Sequence, residues 1–191
     1  DFIPLIRAND PRLFDVIEKR LKPEQFWTFG FLPIVGARVY LLNNQGARLA
    51  GIYRAAARTS QEFGALVGDR ALPDVAPTVA LALRSGGDER QARALLALAE
   101  QRATQSPAEG GDKEIQLARI YAAQGRKEEA IGLLSSAVRG GWLPPYLPIH
   151  TDIALDPPLR ELNADPRFEA IRQQLLGHFR KERAEVGPIG L

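Results

Sequence analysis

Two histidines, His150 and His178, are the only imidazoles in the chain, and there is no cysteine. Nucleophilic catalysis needs a nucleophile and an oriented base. Neither histidine lies in a pattern that supplies both: Gly-x-Ser-x-Gly and His-Glu-x-x-His are absent, and no two histidines stand at metal spacing. The carboxylate pairs Asp88-Glu89 and Glu128-Glu129 sit at expected helix starts, where negative charge complements the helix dipole. Gly86-Gly87 and Gly110-Gly111 lack the Lys-Ser/Thr that completes a phosphate loop. The residue chemistry thus points to no catalytic group, no metal ligand and no cofactor, and an enzyme is the least favoured class.

What remains is chemistry of recognition. Arg38, Arg84 and Arg119 each fall late in a helix-forming stretch. If those helices line one concave face, their guanidinium forks suit an acidic or C-terminal carboxylate group on a partner. Trp142 and Tyr146, in the Pro-rich run Gly140–Pro148, are further candidates for partner contact. A solvated arginine surface and a loop that wedges the last helix are the competing readings. The arginines are 20 against 5 lysines, a bias that reads as GC-rich bacterial codon usage. Net charge is only +2, and Arg and Lys are dispersed, so a nucleic-acid footprint is not expected. Phe26, Trp27, Phe29 and Phe31 gather near the N-terminus and are expected in a core, since large aromatics are mostly buried.

The elements that position these residues are helices. Strand signals are nearly missing. From Asp112 to Arg139, Ile115, Leu117, Ala118 and Tyr121 form one stripe; Gln124-Gly125-Arg126 makes a turn; Ala130, Leu133, Leu134 and Ala137 form the returning stripe. Shifted back by 38 residues, Ala118, Tyr121, Ala130, Leu134 and Ala137 fall on Ala80, Leu83, Ala92, Leu96 and Ala99. A weaker copy has Ala37, Tyr40, the turn Asn43–Gly46, Ala50 and Ala57, with one extra residue expected in that turn. Ser60 is placed as the cap of a short helix holding Phe63. Asp10-Pro11, Asp156-Pro157 and Asp165-Pro166 read as helix starts with Pro at N1. Phe168, Ile171, Leu175 and Phe179 give the last helix an apolar stripe.

The stretch Glu114–Ala137 resembles a tetratricopeptide repeat: a small residue, Tyr three later, then Ala, Leu and Ala, supplied by Ala118, Tyr121, Ala130, Leu134 and Ala137. Glu114 stands where the family has Trp, and Gly141-Trp142 where it has Pro. Asp156–Phe168 is similar to the closing segment after the last repeat in bacterial multidomain proteins, including winged-helix regulators. The resemblance implies an all-α, right-handed α-solenoid of antiparallel helical hairpins. Its parts are irregular N-terminal hairpins over 1–58, repeats over 73–106 and 111–144, and capping helices over 156–183. It implies a protein-interaction scaffold that takes a partner peptide or helix in a concave groove, with the regulatory tail of a larger bacterial protein as the alternative. The expected partner is a protein or peptide, with a homodimer left open. Membrane insertion is not expected, because no apolar run reaches the length of a span. A start at Asp1 without Met suggests a trimmed or processed chain or the tail of a longer one. A bacterial cytoplasm and a periplasm are both compatible with it. The tail beyond Arg183 is expected to fray.

Overall fold

A computed structural model describes residue 10 and residues 12–30, 32–107, 111–144 and 152–186. Among them the secondary structure is helical throughout, without a strand. The helices are α1 (Arg12–Arg20), α2 (Pro23–Thr28), α3 (Leu32–Leu42), α4 (Gly46–Ala56), α5 (Ser60–Val67), α6 (Leu72–Ser85), α7 (Glu89–Gln105), α8 (Asp112–Ala123), α9 (Lys127–Arg139) and α10 (Pro166–Val186). Two short 3-10 turns, Ile153–Leu155 and Pro157–Leu162, lie between α9 and α10.

Helices pack in neighbouring pairs. The closest partners are α6 with α7 and α8 with α9, and α3 packs on α4. One local device makes these pairs. At the end of α8 the Gly125 N–H donates to the Ala122 carbonyl and the Arg126 N–H to the Tyr121 carbonyl, with Gly125 at φ 83°. The same two bonds close α6 through Gly87 and Asp88, α9 through Gly141 and Trp142, and α3 through Asn44 and Gln45. A left-handed residue after the last turn satisfies the helix carbonyls and reverses the chain. Asn takes this conformation more readily than most side chains, which is why the α3 turn works without glycine.

The α3–α4 turn therefore has the same length as the others, residues 43–45 against 86–88 and 124–126, and the expected extra residue is not there. Counting from the turn, Leu49 and Tyr53 take the places that Ala92 and Leu96 hold in α7. Both are fully buried, as are Ala37, Tyr40 and Ala50. The short helix α5 is capped by Thr59, whose hydroxyl accepts the Glu62 N–H at 3.1 Å, and not by Ser60, which is its first residue. The extended backbone of Thr59 lets its side chain reach back, whereas Ser60 is already inside the turn.

Two apolar clusters meet at α8. Leu117, Ile120 and Ala123 join the cluster built from α1–α7, and Ile115, Ala118 and Ala122 join the one that continues through α9 to α10. Of the N-terminal aromatics expected in a core, Phe26 and Trp27 are buried; Tyr40, Tyr53 and Phe63 join them, with edge-on contacts Phe26–Trp27 at 4.7 Å and Trp27–Phe63 at 4.8 Å. Phe29 departs from that expectation and is exposed. Phe31, Tyr146, His150 and the tail from Gly187 lie outside the described residues. The α10 stripe of Phe168, Ile171 and Leu175 is buried in the second cluster, and α10 packs on α9.

Gly111 precedes α8 with φ 87°, and a Cβ there would stand 2.8 Å from Trp142 Cβ. Gly111→Ala should lower stability to urea by about 2–4 kcal/mol, combining backbone strain with overpacking. Gly132, inside α9 with open space around it, should behave oppositely: Gly132→Ala gains about 0.5–1 kcal/mol in the same titration.

Candidate functional site

Arg38 follows Ala37 and Arg119 follows Ala118, so the two arginines leave equivalent faces of the first helices of their pairs. That face is crossed by the closing segment. The turn Pro157–Leu162 packs against α8, α6 and α3, burying Pro157, Pro158, Leu159 and Leu162. Asp156, just before it, is 5% exposed. Its carboxylate accepts from Arg119 Nε at 2.7 Å and lies 3.5 Å from Arg38 Nε. Arg119 Nη1 in turn donates to Asp74 of α6 at 3.1 Å, and Gln116 Nε2 donates to the other Asp74 oxygen at 2.9 Å. Four elements meet in this one network.

Beside it opens a cavity of about 860 Å³, within the size range of ligand pockets. Its walls come from α3, α6, α8, the end of α7, the segment after α9 and the first 3-10 turn. Ile34, Ile115, Ile153 and Trp142 give it apolar surface. Trp142 is buried, and its indole N–H donates to Asp112 Oδ1 at 2.9 Å. The expected partner residue is thus at the cavity, held by packing and a hydrogen bond rather than free in a loop.

Arg84 is elsewhere. It lies one turn further along its helix than Arg38 and Arg119 do along theirs, four residues after Ala80. It donates to Glu89 Oε2 at 2.9 Å and to the Ala123 carbonyl, so it ties α6 to the end of α8. Arg38 and Arg119 meet at Asp156, and Arg84 does not join them. The reason is position along the axis: a shift of three residues keeps roughly the same face but carries Arg84 about one turn on, to the end of α6 and next to the exposed carbonyls of α8.

The charges in the cavity wall are unevenly committed. Asp69 pairs with Arg102 at 3.1 Å, Asp74 with Arg119, Asp112 with Trp142, Asp152 with Arg172 at 2.7 Å and Asp156 with Arg119. On the cationic side, Arg38 Nε has no hydrogen-bond acceptor, and Asp156 is its one ion pair among the described residues. Burial pushes the Arg38 guanidinium below its ordinary pKa; Asp156 opposes this and Arg119 adds to it. For Arg119, burial acts in the same direction, but Asp156 and Asp74 outweigh it and hold the cation above its ordinary value. The Gln116 Oε1 is buried without a donor. Such orphaned groups are rare in folded proteins and call for an explanation.

Sequence reasoning did not single out Asp74 or Gln116, although Gln116 and Arg119 stand three apart and hence on one helix face. Among the described residues no three His, Asp or Glu side chains are grouped to hold a metal ion, and no helix is long and apolar enough to cross a membrane. His178 is exposed on α10. No protein-family model, no curated protein and no solved structure matches this chain significantly.

Removing one partner of a buried ion pair leaves the other charge uncompensated. Arg119→Ala should cost about 3–5 kcal/mol in denaturant unfolding. Combined with Asp156→Asn, the total should fall well short of the sum of the two single losses, and strict additivity would show that the pair does not couple.

Proposed function

We propose that the chain is a protein-interaction module of the tetratricopeptide type. On this reading α3/α4, α6/α7 and α8/α9 are three hairpins of a right-handed solenoid, α10 closes its end, and a segment of a partner protein enters the cavity under the first helices. The observation that carries the reading is Arg38, half-buried on the cavity wall with a buried Nε that has no hydrogen-bond acceptor among the described residues, beside apolar surface from Ile34, Ile115 and Ile153. Buried polar groups left without partners are what a binding site keeps for its ligand. Support also comes from the repeated placement of Ala37, Ala80 and Ala118, all fully buried, where small residues let successive helices approach closely.

The regulatory-tail reading keeps the same binding site. It is favoured by the closing segment Asp156–Phe168, the stretch that resembles the ends of repeat regions in multidomain proteins. The proposal assigns the site recognition and no turnover.

Selection of displayed random peptides on the immobilised chain tests this directly. Ile34→Trp fills the cavity from α3 and should abolish enrichment of the selected sequences. Phe29→Ala, at an exposed position away from the cavity wall, should leave enrichment unchanged. Equal enrichment on wild type and Ile34→Trp removes the cavity as the binding site.

A further inference from the structure

Five aspartates line the cavity, and four of them answer a guanidinium: Asp69 pairs with Arg102, Asp74 and Asp156 with Arg119, and Asp152 with Arg172. Asp112 is different. Its Oδ1 accepts from the neutral Trp142 indole N–H at 2.9 Å, and it has no ion pair among the described residues. Four residues on along α8 stands Gln116, 8% exposed, whose Nε2 donates to Asp74 and whose Oε1 is buried without a donor. Positions four apart share one face of a helix, with Cβ atoms about 6 Å apart. Each side chain is held by its other polar atom, Asp112 by the indole and Gln116 by Asp74. The two remaining oxygens are therefore fixed relative to one another.

One charged and one neutral acceptor, from two side chains, call for a cation with several donors on one atom. A guanidinium fork prefers both oxygens of a single carboxylate, and Asp112 has given one of its two to Trp142. A primary ammonium carries three donors on one nitrogen and can reach both side chains. A metal ion would draw on a larger acidic set, and among the described residues no three His, Asp or Glu side chains are grouped to hold one. Arg119, seven residues beyond Asp112 and about 10 Å further along the axis, is already neutralised by two carboxylates and opposes an incoming cation little. Ile115, next to Gln116, and Ile153 line the same cavity. Their apolar surface suits the methylene stem of an amine, which buries readily while its head keeps polar contacts.

We infer that the cavity takes a primary ammonium on an aliphatic stem, the nitrogen donating to Asp112 Oδ2 and Gln116 Oε1 and the stem lying against Ile115 and Ile153. This chemistry is shared by the lysine side chain of a partner segment and by a free alkylamine. The inference rests on the partner-binding reading only for the first of these sources.

The test is calorimetric titration of the whole chain with four probes: Nα-acetyl-lysine N-methylamide, its Nε-acetyl derivative, its Nε-trimethyl derivative and n-butylamine. The Nε-acetyl group removes the charge, and the trimethyl group keeps the charge and removes the donors. The lysine probe should bind more tightly than either derivative by about tenfold to a hundredfold, the range that a hydrogen bond to a charged group carries. Asp112→Asn keeps an acceptor for Trp142 and should erase the preference over the Nε-acetyl derivative. Gln116→Met should weaken the lysine probe by about tenfold. Should Asp112→Asn fail to fold by circular dichroism, the comparison of probes on the unaltered chain decides without it. Binding of either derivative as tight as that of the lysine probe overturns the inference, and so does no binding of the lysine probe or of butylamine. If butylamine binds and the lysine probe does not, the inference stands and the partner-segment reading falls. Enrichment of displayed peptides that contain no lysine leaves that reading standing and removes the inference.

Discussion

The Asp156 carboxylate ties the segment before α10 to α3, α6 and α8. It is buried, and burying a charge is expensive unless opposite charge and hydrogen bonds surround it. Arg119 supplies both, at 2.7 Å, and Asp74 shares the cation from α6. The pairing fixes where the closing segment lies, because a segment shifted along the groove would carry an unpaired carboxylate into apolar surroundings. The buried Pro157, Pro158, Leu159 and Leu162 provide the area. Apolar contact alone is tolerant of sliding, and the ion pair is not.

The helix pairs depend on a different constraint, the geometry of four helix ends. Each reversal needs one residue in the left-handed region, and Gly87, Gly125 and Gly141 supply it without strain. Between the turns, Ala80, Ala92, Ala118 and Ala130 are fully buried. Their small side chains set the spacing, and Leu83, Leu96 and Leu134 fill what is left. Tyr121 is the exception within this set. It is half-buried, touches both apolar clusters and has the Arg126 guanidinium 3.6 Å from its ring centre. Its ring face is shared with a cation, a stacking that partly exposed positions accommodate.

Much of this was legible in the sequence because it is local. Gly125 between two apolar stripes, Asp165 before Pro166, and the small residues at a fixed offset all act within a turn or two of their own position. The misread turn at Asn44 has the same explanation in reverse. Aligning on Ala50 and Ala57 matched residue type, whereas the backbone aligned Leu49 and Tyr53, since large residues replaced small ones where α5 and the N-terminal aromatics changed the space to be filled. Thr59 displaced Ser60 as cap because both can accept the same hydrogen bond and only backbone conformation separates them. Pro77 lies inside α6 although proline disfavours helix interiors, a local rule overridden by burial in the tertiary fold.

The site was less legible because it is not local. Arg38 and Arg119 could be placed on first helices from the sequence, but nothing in their surroundings there says that Asp156 and Asp74 reach them from 37 or more residues away. Those two aspartates decide which arginine is available. Arg119 is neutralised twice, and among the described residues Arg38 has one ion pair and no hydrogen-bond acceptor at its Nε. A buried cation in that condition lowers stability, and replacement by an apolar side chain of similar volume is often neutral or favourable. Stability alone therefore gives no reason for arginine at this position. The cost of desolvating the guanidinium is met on folding, by the apolar contacts that hold the turn Pro157–Leu162 against α3, α6 and α8.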